Sequence, residues 1–123
     1  MTVNSRILIL GAAALLGSTV ASAQVSQVTP DAAPGYTAIM GADYATAERD
    51  IRGADVSKYD PARLINLGVV FAKTGRREAA ERSFKRVLMQ DEVQMILVNG
   101  ETASSHEVAT RALASLQNGV LSR

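Results

Sequence analysis

Between residues 60 and 91 the apolar positions fall into two adjacent helical patterns separated by a turn. Asp60 is suited to cap a helix, because its carboxylate can accept a free amide proton of the first turn. Pro61 suits the first helical position, where the missing N–H is no loss. Leu64, Leu67, Gly68 and Phe71 then recur at intervals of three and four, which places them on one stripe of a helix, with Ile65, Val69 and Ala72 on a second stripe beside it. Two stripes are more than a helix buries against one neighbour, so this helix is expected to be packed on two sides. Gly75 supplies the left-handed residue that ends it. The second pattern carries Ala80, Phe84, Val87 and Leu88 on one face and turns Arg82, Lys85 and Arg86 to water. Glu78 with Arg82, and Glu81 with Lys85, are acid-first pairs four apart that support a helix.

The flanking segments are patterned less strongly. A helical pattern runs from Tyr36 to Ala54, with Tyr44, Ala47 and Ile51 on one stripe and Gly53 closing it. After Asp91, Val93 to Val98 is an uncharged, β-prone run followed by Asn99-Gly100, which predicts a small β-hairpin with a type I′ turn and a return strand at 101–103. Left unpaired, the edge of the Val93–Val98 strand would invite a second chain, so self-association there is the alternative functional reading. Ser104 and Glu107 have the spacing of a capping box, and the helix they open presents Ala109, Ala112, Leu113 and Leu116 on one face before Gly119.

In the central stretch Leu64, Leu67, Gly68, Phe71, Ala80 and Phe84 stand at the spacing of a tetratricopeptide repeat, and Gly75 falls at its inter-helix turn. The stretch resembles one full unit of that family, about a quarter of the chain. It departs from the pattern at Leu64, where tryptophan is usual, and at Glu92, where a proline commonly closes the unit. GADYATAERDI resembles the second helix of a truncated preceding unit, with Ala47 in the position of Ala80. The resemblance implies a mainly α fold: an antiparallel helix hairpin, a partial repeat helix before it, a small β-hairpin and a C-terminal capping helix. It also implies a protein–protein interaction or scaffold module whose peptide-binding face would be Ile65, Asn66, Val69, Ala72 and Lys73. With so few repeats, the N-terminal helix or the hairpin is expected to cover Ile65 and Val69.

At the N-terminus, Arg6 precedes an apolar stretch at 7–20 and the small-residue site Ala21-Ser22-Ala23, the pattern of a cleaved export signal over 1–23. The apolar core is shorter than the roughly 20 residues a membrane span needs, and no charged stop follows. The expected product is a periplasmic or secreted protein with no membrane span, in which 24–35, containing Pro30, Pro34 and Gly35, is a flexible linker and 36–123 the helical domain. Of the 13 basic and 12 acidic residues, only Arg6 lies in the leader, so the remainder is balanced. A balanced chain lacks the basic excess that nucleic acid or an anionic membrane would attract. There is no cysteine or tryptophan, which excludes disulfide and thiol chemistry and disfavours aromatic stacking platforms.

Few residues point to catalysis. His106 is the sole histidine, and Ser104 and Ser105 beside it would point in different directions from a helix start, so it is expected as a solvent-facing first-turn residue. The carboxylates Asp43, Glu48, Asp50, Glu78, Glu81, Asp91 and Glu92 lack metal-ligand spacing and read as helix faces and caps. Neither a catalytic site, a cofactor nor a metal is expected. Lys73, Arg76, Arg77, Arg82, Lys85 and Arg86 outnumber Glu78 and Glu81 locally, a face that could attract an acidic partner or lipid headgroups as well as serve as ordinary solvated surface.

Overall fold

A computed structural model of the chain describes residues 27–28 and 33–122. The expected export signal, 1–23, lies outside them. The fold is mainly α: β1 (Gln27–Val28), α1 (Tyr36–Met40), α2 (Tyr44–Gly53), α3 (Pro61–Lys73), α4 (Arg77–Val87), β2 (Gln94–Ile96), β3 (Thr102–Ser104) and α5 (Ser105–Gln117) follow in order.

The hairpin of α3 and α4 forms as its sequence requires. Asp60 Oδ1 accepts from Arg63 N at 2.9 Å with Pro61 in the first turn, so the start is capped. At the other end Gly75 has φ 80, which lets Arg76 N reach Phe71 O at 2.8 Å and Gly75 N reach Ala72 O at 3.3 Å. These bonds satisfy two carbonyls that the helix end would leave open and reverse the chain into α4. Phe71, Ala72, Ala80 and Phe84 share one buried cluster with Leu116 of α5. Gly68 is what admits Phe84, since a Cβ at that position would collide with the edge of its ring.

On the other side of α3, Ala47 and Ile51 of α2 pack with Val70 in a second cluster. The helical segment expected over 36–54 is in fact two helices, broken at Gly41 and at Ala42, which takes the left-handed conformation at φ 59. The break repeats the hairpin's own construction. Ala42 and Gly75, both at positive φ, are separated by 33 residues, as are the fully buried Ala47 and Ala80. Gly35 is to Ile51 as Gly68 is to Phe84: in each pair a Cβ on the glycine would collide with the large buried side chain, and the interval is again 33. The α1–α2 unit thus repeats the glycine–large-residue contact of the α3–α4 unit, with a first helix of only five residues. The short first helix follows from Pro34 and from the non-helical Gly35 that begins it.

The β elements differ in detail from the sequence expectation. β2 is three residues rather than six, and β1, from the stretch expected to be a linker, pairs with it in parallel, Gln27 with Gln94 and Val28 with Met95. β3 takes the other edge antiparallel, Met95 opposite Ala103. Within the 93–98 run, Gln94 and Met95 are thus paired on both sides. The turn is not type I′, because Asn99 is not at positive φ; Gly100 alone is, at 85. Gly100 N bonds Leu97 O at 2.9 Å and Leu97 N bonds Glu101 O at 2.7 Å, so Val98-Asn99-Gly100 is a three-residue loop with glycine in the left-handed position. Ser104 caps α5 by accepting from Glu107 N at 3.1 Å. The reciprocal half of the box is replaced by an ion pair of Glu107 with Arg111 at 3.3 Å. α5 then closes the hairpin through Ala109 and Leu116, both buried.

Candidate interaction surfaces

The residues expected to bind a peptide are used in part by the fold itself. Ile65 is 8 % exposed and packs with Met95 and Ala109, while Ala72 is 1 % exposed under α5. Val69 is half-buried against the same cluster. Asn66 Nδ2 donates to Pro34 O at 2.8 Å, fixing the segment that leads into α1. Lys73, half-buried, is the last residue of α3. Ile65 and Ala72 are thus covered, Val69 only in part, while Ile65 and Asn66 also line a small pocket with Tyr36, Met95 and Val108.

The serine and histidine residues at the start of α5 hold segments together. Ser105 is fully buried, its Oγ accepting from Val93 N at 3.1 Å. His106 is half-buried rather than solvent-facing, with Nε2 2.8 Å from Gln90 O. A carbonyl can only accept, so Nε2 carries the proton. Both contacts fasten the α4–β2 connector to α5. Among the described residues no three potential metal ligands are grouped, and no helix is long and apolar enough to cross a membrane.

Glu48 accepts from two arginines at once. Its carboxylate receives Arg76 Nη2 at 2.6 Å and Arg52 Nη2 at 2.7 Å, joining α2 to the turn between α3 and α4. Hydrogen bonds from Arg76 and then Arg52 hold its carboxyl at about 2, below the ordinary 4.5. Both guanidinium groups also lie over the Phe71 ring, at 4.7 Å for Arg76 and 5.9 Å for Arg52, within the range of cation–π attraction. The distances matter because this ion pair seals one end of the hairpin core.

Next to it is a groove of about 330 Å³ between α2, α3 and α4. Leu64, Leu67, Phe71 and Ala79 form its floor, and every charged residue of its lining is basic: Arg52, Lys58, Arg63, Arg82 and Arg86. Arg63 is fixed from behind, its guanidinium donating to Val56 O at 2.9 Å, Arg52 O at 3.2 Å and Ala54 O at 3.4 Å. Arg82 does not make the expected pair with Glu78, whereas Lys85 does pair with Glu81, at 2.8 Å. Leu64, Leu67 and Phe71 form the stripe beside Ile65, Val69 and Ala72 on α3, so this groove is on a different flank of the helix from the face expected from the sequence. The apolar repeat that flagged α3 as packed on both sides gave no sign that one side stays open. The chain matches no protein-family model, and no similar curated protein or solved structure was found.

Proposed function

We propose that the chain is an exported interaction module of the cell envelope, built on a tetratricopeptide-like repeat and working by contact with another protein. The observation that supports this is the 33-residue interval relating Gly35, Ala42, Ala47 and Ile51 to Gly68, Gly75, Ala80 and Phe84. It adds a second, shortened unit, in three dimensions, to the signature residues of the first. Stacked helical pairs of this kind expose long inter-helix grooves, and such grooves serve recognition more readily than they assemble reacting groups. Export follows from the apolar N-terminal segment and the small residues at 21–23.

Two measurements test the reading. Mass spectrometry of the protein from a cell envelope fraction should give a chain beginning at Gln24; a chain retaining residues 1–23 in the cytoplasm refutes export. Photocrosslinking from positions on α2 and α4 in living cells should trap a discrete partner, and adducts only between copies of this chain would replace the module reading with self-association.

A further inference from the structure

We propose that the groove between α2, α3 and α4 binds an acidic peptide segment of the partner protein, seating an apolar side chain on Leu67 and Ala79 between carboxylates held by Lys58, Arg82 and Arg86. This rests on the reading as an interaction module and names the chemistry of its partner.

Three observations carry it. Arg82 and Arg86 are exposed one helical turn apart on α4, and neither makes an ion pair among the described residues, although Glu78 stands four positions before Arg82. Like charges so placed repel each other, and a bound anion relieves the repulsion. Across the groove Lys58 and the anchored Arg63 add positive charge to the opposite wall, whereas the neighbouring Glu48 is spent on Arg52 and Arg76. Between the walls the half-buried Leu67 and Ala79 supply apolar surface, and the groove's volume of about 330 Å³ lies within the range of small-ligand sites.

These features select among anions. Inorganic phosphate would meet the guanidinium groups and leave the apolar floor wet. A bilayer is flat and would touch only the rim of a depression with cations on both walls. A peptide in which an aromatic or aliphatic side chain is flanked by glutamate or aspartate satisfies walls and floor together.

The test is a fluorescence-anisotropy titration of the purified protein with a labelled Glu-Asp-Leu-Phe-Glu-Asp peptide. Binding is expected, weakened at least tenfold in Arg82→Glu/Arg86→Glu, weakened about tenfold between low and high salt, and unchanged in Arg111→Glu, which lies on α5. Circular dichroism verifies that the double variant is folded, as expected for exposed helix positions. A peptide with serines in place of Leu-Phe, phosphatidylglycerol vesicles and inorganic phosphate serve as competitors. Equal binding by wild type and the double variant, or equal competition by the serine peptide, overturns the proposal, and so does displacement of the peptide by vesicles or phosphate at similar concentration. If a partner trapped in cells persists with the double variant, the groove is refuted and the module reading stands. If no partner is trapped with wild type, the module reading falls while the titration still judges the groove.

Discussion

Glu48 and Gly68 show how much of the fold rests on single residues. Because Glu48 titrates at about 2 when folded and near 4.5 when unfolded, its ion pairs stabilise the protein fully above the unfolded value. That contribution drains away as the pH falls from about 4.5 toward 2. The side chain is 21 % exposed and its arginine partners more so, which brings the contribution down to about 1 kcal/mol. Urea unfolding of Glu48→Gln should therefore show a loss of about 1 kcal/mol at neutral pH, and a smaller difference from wild type at pH 2 to 3. A difference that stays constant across this range would mean that packing rather than charge is responsible. Gly68→Ala should cost about 1–3 kcal/mol, because the added methyl collides with the fully buried Phe84 ring and must displace it. Combining it with Phe84→Leu should recover part of that loss, measurable as a coupling in a double-mutant cycle.

At the scale of elements, the residues with strong local chemistry were legible in the sequence. Asp60, Pro61, Gly75 and Ser104 all cap or end helices as their types require. What sequence reasoning missed was set by contacts distant along the chain. Nothing in the QVSQVTP stretch marks Gln27–Val28 as a strand, since two residues carry no periodicity and their partner lies beyond four helices. The break at Ala42 was hidden for a different reason: alanine is a strong helix former and signals no turn, yet it occupies the left-handed site that Gly75 fills in the second unit. Ala42→Gly should accordingly stabilise the protein by about 0.5–1 kcal/mol, the reverse of the usual effect of glycine next to a helix. A raised urea midpoint with an unchanged slope would establish it. The groove was the least legible feature, because the residues Arg52, Arg63, Arg82 and Arg86 come from three helices and read singly as solvated polar flanks.

For the molecule as a whole, α5 closes the hairpin, laying Leu116 and Ala112 over Phe71, Ala80 and Phe84. Arg77 ties its end down by donating to Leu116 O at 2.6 Å. A chain stopped after Ser104 should lose cooperative urea unfolding and bind a hydrophobic dye, because Ala72, Ala80 and Phe84 would be left uncovered. Retention of a sharp transition would show that the two units and the sheet are self-sufficient. The pairing of Gln27–Val28 with β2 has a consequence in time as well as space. These two residues precede every helix of the described chain, and the strand they need is made only after α4. Gln27–Val28 must wait, unpaired, until the chain has grown past Gln94, so their docking belongs to the closing act of folding.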